Sequence, residues 1–175
     1  MHYGKLETLD TANGEGLRTT LFVSGCRRHC PGCFNPDTWD FNYGKLFTEE
    51  TIDWVLELLR PDQIDGLTLL GGEPFEPENQ EDLLYLLAHV KERYPEKNVW
   101  AYTGCTYEGD LKPGVNSMYQ TEFTADLLDK IDILVDGEFI EEKKNLMLKF
   151  RGSENQRIIN LPKTLETGSV VLYME

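Results

Sequence analysis

Long apolar runs are missing from this 175-residue chain. No stretch approaches the roughly 20 residues that span a bilayer. The opening Met1-His2-Tyr3-Gly4-Lys5 lacks the apolar core of a secretory signal, so a cytoplasmic protein with no membrane partner is expected. Basic charge is scarce too: 17 Lys and Arg stand against 31 Asp and Glu, a net charge of −14. Phosphate binding needs a basic face, which argues against a nucleic-acid partner. There is no internal repeat, no low-complexity tract and no linker, and the length suits one domain, expected to span residues 1–175. Hydrophobic residues reach 40%, enough for a core, which excludes disorder as the main state.

Cysteine is sparse, four in all, but three of them, Cys26, Cys30 and Cys33, fall in one short segment. In a reducing compartment such a cluster signals ligands or catalysts rather than disulfides. Cys26-x3-Cys30-x2-Cys33 offers three thiolates in one loop, with Pro31-Gly32 bending the chain between the last two. A cubane has four irons, and cysteine-only sites normally supply four thiolates. Three ligands leave one iron open to a substrate, turning an electron carrier into a catalyst. Two other readings stay open on spacing alone. One is structural zinc with His29 or Cys105 as fourth ligand, although the second Cys-x-x-Cys knuckle of zinc ribbons is missing. The other is an ordinary electron-transfer cluster with Cys105 as fourth ligand.

Strand-like and helix-like segments alternate. Thr19 to Val23 reads as a buried strand leading into Ser24-Gly25. Thr48 can cap a helix carrying Ile52, Val55, Leu56 and Leu59 and stopped by Pro61. Leu67 to Leu70 is a second strand, closed by Gly71-Gly72. A second helix places Leu83, Leu87, Val90 and Tyr94 on one face and ends at Pro95. Asn98 to Tyr102 gives a third strand. Thr124 can cap a short helix with Leu127 and Leu128, before a fourth strand from Ile131 to Val135 that ends at Asp136-Gly137. Ile158-Ile159 and Val170-Val171-Leu172 are further strand candidates, with Leu165 between them. This order predicts an α/β fold of βα units with a mainly parallel sheet. The chain is too short for a full barrel of roughly 250 residues, so a shortened, incomplete barrel or an open sheet follows. Ligands of such sheets bind beyond the carboxyl ends of the strands, where the cysteine loop, Gly71-Gly72-Glu73, Thr103-Gly104 and Asp136-Gly137 all fall.

The three-cysteine loop resembles the signature of the radical S-adenosylmethionine superfamily, and Gly71-Gly72-Glu73-Pro74 resembles its glycine-rich motif. More narrowly, Asn13 to Cys26, Cys30-Pro31-Gly32-Cys33-Phe34-Asn35, Val135 to Phe139 and Phe150 to Arg157 resemble the activating proteins of anaerobic ribonucleotide reductase. The resemblance implies a shortened barrel, one 4Fe–4S cluster on Cys26, Cys30 and Cys33, S-adenosylmethionine, and a glycyl-radical partner, the large subunit of the reductase. It further implies an electron donor such as a flavodoxin. The nearest alternative is an activase of another glycyl-radical enzyme such as pyruvate formate-lyase; from a different class, a zinc-stabilised binding module.

Many superfamily members carry an aromatic residue just before the third cysteine. Gly32 stands there in this chain, so the adenine contact is expected from the backbone of Gly32, Cys33 and Phe34. Gly71 and Gly72 are expected to receive the methionine amino group. Glu73 can add a carboxylate to that ammonium or simply cap the next segment. Asp136 reads either as a turn residue or as a contact to ribose or partner. Arg18 is expected to pair with a surface carboxylate or to steady the cofactor's carboxylate. Trp39, Trp54 and Trp100 read as packing residues. No Ser/His/Asp or paired-carboxylate pattern surrounds the site, and the segment 163–175 has no assigned role.

Overall fold

The computed structural model describes residues 1–175. In chain order the main elements are β1 (His2–Asp10), β2 (Arg18–Val23), β3 (Lys45–Leu46), α1 (Glu49–Leu59), β4 (Gly66–Gly71), α2 (Pro77–Arg93) and β5 (Asn98–Tyr102). Then follow α3 (Thr124–Asp129), β6 (Ile133–Asp136), β7 (Arg157–Asn160), α4 (Leu161–Thr167) and β8 (Leu172–Met174). One eight-stranded sheet has the order β3-β1-β2-β4-β5-β6-β7-β8.

The four central strands, β2, β4, β5 and β6, run parallel. On both flanks the pairing turns antiparallel: β1 with β2 and β3 on one side, β7 with β6 and β8 on the other. The expectation of a mainly parallel sheet is therefore corrected to a mixed α/β sheet. It is open, with β3 and β8 at its edges. The parallel neighbours are those whose connections carry α1, α2 and α3 back across one face of the sheet, whereas from β1 into β2 and from β6 into β7 the chain returns without a crossover helix.

Strand alternation divides the core. Leu21, Val23, Leu67, Leu69, Val99, Ala101 and Leu134 face the helices and pack on Ile52, Val55, Leu56 and Leu59 of α1 and Leu83, Leu86, Leu87 and Val90 of α2. Each such leucine contributes roughly 1.5–3 kcal/mol by leaving water. All four helices feed this one core. The opposite face carries a smaller cluster, Trp100, Ile133, Val135 and Ile158, against which Phe150 packs. Because no helix covers this face, loops can enclose a cavity on it.

α1 begins as the sequence suggests, the Thr48 N–H donating to Thr51 Oγ1 at 3.1 Å. β1 escapes sequence reading because only Tyr3 and Asp10 of its nine residues are buried, leaving no apolar alternation. The final segment completes α4 and adds β8, which starts at Leu172 rather than Val170.

Arg18 corrects its expectation most plainly. It is fully buried at the start of β2, the far end from the cysteine loop. Its Nε donates to Thr68 Oγ1 at 2.7 Å, Nη1 to the Glu15 carbonyl at 2.9 Å, and Nη2 to the Leu67 carbonyl at 2.9 Å and the Asn98 carbonyl at 3.2 Å. Burial draws its pKa down to about 10, so the cation is kept by carbonyls rather than by a surface carboxylate.

Candidate metal-cluster site

The cysteine loop leaves β2 at Val23 and returns to its own start. The Gly25 N–H donates to the Thr38 carbonyl at 2.7 Å and the Cys26 N–H to the Trp39 carbonyl at 3.2 Å. Within the loop the Cys33 N–H reaches the Cys30 carbonyl at 3.1 Å, and the Asn35 N–H points at Cys33 Sγ at 3.4 Å. His29 and Gly32 adopt left-handed backbone, with φ of 48° and 77°, which turns the chain sharply enough to present three thiols from one loop. Cys26, Cys30 and Cys33 are half-buried and line a single cavity of about 570 Å³, within the range of roughly 300–1,000 Å³ typical of cofactor sites. Burial pushes the Cys26 thiol up to about 11 and moves Cys30 in the same direction. Metal binding at these sulfurs must therefore displace protons.

The glycine-rich end of β4 forms the next wall. Gly71 has φ of 109°, and a Cβ at Gly72 would meet the Gly25 carbonyl oxygen at 2.6 Å and the Thr38 carbonyl oxygen at 2.9 Å. Glycine is demanded here because β4 presses its backbone against the cysteine loop itself. Glu73 is buried at the cavity wall. Its Oε1 accepts from the Phe75 N–H at 2.9 Å and Thr103 Oγ1 at 2.7 Å, its Oε2 from the Gly104 N–H at 2.7 Å. Burial raises its pKa, opposed by these three donors and by Arg28. The carboxylate thus ties the loop after β4 to the loop after β5.

Asp136 ends β6 and lies beside this cavity, in an adjoining cleft of about 370 Å³ that shares Arg28, Gly104 and Gly137 with it. Its Oδ2 accepts from the Tyr107 N–H at 2.9 Å and Arg157 Nη2 at 2.6 Å, and its Oδ1 from Arg157 Nε at 3.0 Å. These bonds fix the position of Gly137, which lines both spaces. Gly32, the one residue of the cysteine loop's bend with expected cofactor contact, packs toward Glu141, a Cβ there meeting that carboxylate at 2.9 Å. Phe34 stands largely exposed at the mouth, its ring 5.7 Å from that of Phe139.

Among the wall residues Arg28, Tyr102 and Asn145 carry no sequence signal of their own, while Asn13 and Phe139 stand out only as ends of the motifs Asn13 to Cys26 and Val135 to Phe139. Phe150 and Arg151 also line the cavity, and only the motif from Phe150 to Arg157 could have drawn attention to them. Arg28 Nε, Tyr102 Oη and Arg151 Nε are buried without a hydrogen-bond partner. Buried donors of this kind cost free energy unless something polar meets them, so the cavity is chemically suited to an organic cofactor bearing carboxylate and hydroxyl groups.

The same geometry bears on which metal the loop takes. His29 lies flat on Trp39, ring centroids 4.4 Å apart and planes 15° apart, which commits it to packing. Cys105 is buried outside the cavity lining, its Sγ accepting from Arg28 Nη2 at 3.3 Å. No three His, Cys, Asp or Glu side chains converge closely enough to hold one metal ion. With His29 stacked on Trp39 and Cys105 outside the lining, the cavity offers the three loop thiols and neither of the two residues considered as a fourth zinc ligand.

Comparison with known proteins agrees. Residues 12–159 match the family model described as a 4Fe-4S single cluster domain. A protein of Enterobacteria phage T4 is 39% identical over 160 residues, covering 90% of this chain and 93% of its own. One from Salmonella typhimurium is 38% identical over 163 residues, 92% of this chain and 99% of its own. One from Escherichia coli K12 is 37% identical over the same length and coverage. Each of the three is named anaerobic ribonucleoside-triphosphate reductase-activating protein.

Proposed function

The chain belongs to the family of anaerobic ribonucleoside-triphosphate reductase-activating proteins, and on that footing we propose that it is the enzyme that installs a glycyl radical in such a reductase. Held by Cys26, Cys30 and Cys33 and the neighbouring cavity wall, a 4Fe–4S cluster and S-adenosylmethionine would supply one-electron reductive cleavage of the sulfonium, with methionine released, and so the power to take hydrogen from a glycine Cα of the reductase.

The chain's own residues bind, orient and exclude water. Cys26, Cys30 and Cys33 hold the cluster and leave one iron free of protein sulfur. The backbone from Gly32 through Cys33 to Phe34 receives the adenine, and Gly71 and Gly72 receive the methionine end. Glu73 holds the loops after β4 and β5 together behind that end through Thr103 and Gly104. Asp136 acts on the ribose side by fixing Gly137 through Arg157 and Tyr107. Arg151 and Tyr102 offer their unpartnered donors to the carboxylate and hydroxyl groups. Phe22, Leu70 and Phe150 keep the remaining wall apolar, which protects a radical from water.

Residues 1–175 act as one radical S-adenosylmethionine domain, and the open sheet stands as the wall of a shortened barrel. No helix is long and apolar enough to cross a membrane. The four free thiols fit a reducing cytoplasm, where a low-potential donor such as a flavodoxin supplies the electron.

The observation that carries the reading is the cavity walled by three thiols from a single loop. The test mixes reduced, reconstituted protein and S-adenosylmethionine with the host's anaerobic ribonucleotide reductase and, separately, with its pyruvate formate-lyase. A glycyl doublet in the EPR spectrum of the first, with 5′-deoxyadenosine formed alongside, is expected. A doublet only on the second would move the assignment to another glycyl-radical enzyme.

A further inference from the structure

Between β6 and β7 the chain forms a strap along the cavity mouth. It is built rather than loose. The Asn145 N–H donates to the Gly152 carbonyl at 3.2 Å, the Glu154 N–H to the Lys143 carbonyl at 2.9 Å, and the Leu148 N–H to the Asn145 carbonyl at 3.3 Å. Asn145 Oδ1 accepts from the Met147 N–H at 2.9 Å, shaping the tip. The base is anchored by Phe150, whose ring packs edge-on against Trp100 at 5.5 Å.

This ordered tip holds Leu146 and Met147 out in solvent, 84% and 89% exposed, the two most exposed large apolar side chains of the molecule. Phe34, 66% exposed, stands at the same mouth, with Lys144 Nζ 5.3 Å above its ring. A lone exposed leucine means little. Three large apolar groups at one cavity mouth are a patch that a protein partner can bury. The tip segment itself is basic, with Glu141, Glu142 and Glu154 lying outside it. From residue 143 to 151 there are Lys143, Lys144, Lys149 and Arg151 and no carboxylate, in a protein of net charge −14.

We infer that the strap tip, with Phe34, is the docking surface for the reductase, and that it takes an apolar segment flanked by carboxylates beside the radical-accepting glycine. The inference rests on the proposed function, and the cavity makes the connection. Phe34 and Leu146 line the cavity at this rim, so a protein segment that delivers a main-chain Cα past them also covers the neighbouring Met147. Apolar burial supplies the affinity, and the basic collar steers an acidic approach.

The test uses the full reconstituted chain and purified reductase under anaerobic conditions. Met147→Asp combined with Lys149→Glu alters two exposed side chains outside the cavity lining. The expected result is reductase binding at least tenfold weaker, with cluster absorption and the EPR perturbation by S-adenosylmethionine unchanged. Met147→Leu with Lys149→Arg should bind as the unaltered chain does, and raising salt should slow its association. Equal binding by the Asp/Glu variant, while the unaltered chain still activates the reductase, overturns the docking surface and leaves the activase reading standing. Loss of the cluster in that variant also overturns it, since the strap would then serve the cavity alone. An unaltered chain that neither binds nor radicalises the reductase overturns both readings.

Discussion

Arg28 reaches from within the cysteine loop to Cys105, its Nη2 donating to Sγ at 3.3 Å. Burial raises the Cys105 pKa, with the Glu73 charge adding to it, so the thiol stays protonated and neutral. The fourth cysteine is therefore a small buried packing group held by an arginine. Single Cys26→Ala, Cys30→Ala and Cys33→Ala variants should each lose the broad visible absorption of the reconstituted protein, whereas Cys105→Ala should keep it and its iron content. Bleaching of the Cys105 variant would mean that no iron is left open for S-adenosylmethionine.

Gly72 is packed against the cysteine loop more tightly than a cofactor contact alone requires. A methyl group there would press on the Gly25 and Thr38 carbonyl oxygens at 2.6 and 2.9 Å. Gly72→Ala should therefore lower iron incorporation as well as weaken S-adenosylmethionine binding. Parallel iron analysis and EPR titration separate the two effects. Full iron occupancy in the variant would show that the loop yields without cost.

Arg18 is the interior cation of the fold, donating to Thr68 Oγ1 and to the carbonyls of Glu15, Leu67 and Asn98. Arg18→Met leaves those buried acceptors unmatched, and hydrogen bonds to a charged group contribute about 1.5–3 kcal/mol each. A loss of about 3 kcal/mol or more in urea denaturation of the cluster-free protein is expected. A change below about 1 kcal/mol would assign the carbonyls other partners.

Asp10 sets part of the acid limit. Burial opposes its charge, but Thr20, Asn13 and the Ala12 N–H outweigh that and hold its carboxyl below the ordinary value of 3.8. A depressed carboxyl stabilises the fold above its unfolded pKa, and that contribution is lost as pH falls through the folded one. Thermal midpoints of the cluster-free protein should drop steeply below about pH 4, and Asp10→Asn should make that acid limb shallower. Parallel acid limbs for the two proteins would exclude Asp10 from the linkage.

Much of the centre of this molecule is legible in its sequence because the information is local. The cysteine ligands share one loop, α1 and α2 show their buried faces at helical spacing, and the apolar run of β4 is bounded by glycines. The flanks are not legible for the opposite reason. β1 buries only Tyr3 and Asp10, so nothing in its pattern distinguishes strand from coil. Arg18 looks like any surface arginine until Gly66 and Asn98 close over it. The strap has no period at all. Its course depends on one distant contact, Phe150 on Trp100, and on an aperiodic local turn in which Gln156 Oε1 accepts from the Gly152 and Ser153 N–H groups.

The neck formed by the Gly25–Thr38 and Cys26–Trp39 backbone bonds makes the cluster loop a closed Ω-shaped unit that contains every thiolate ligand. Such a unit can open by itself, at a free energy well below that of melting the sheet. Iron and sulfide therefore have a route in and out that leaves the fold intact. Loading of the native, cluster-free protein and stripping by chelators should both proceed at rates set by this neck, insensitive to denaturant concentrations that stop short of global unfolding.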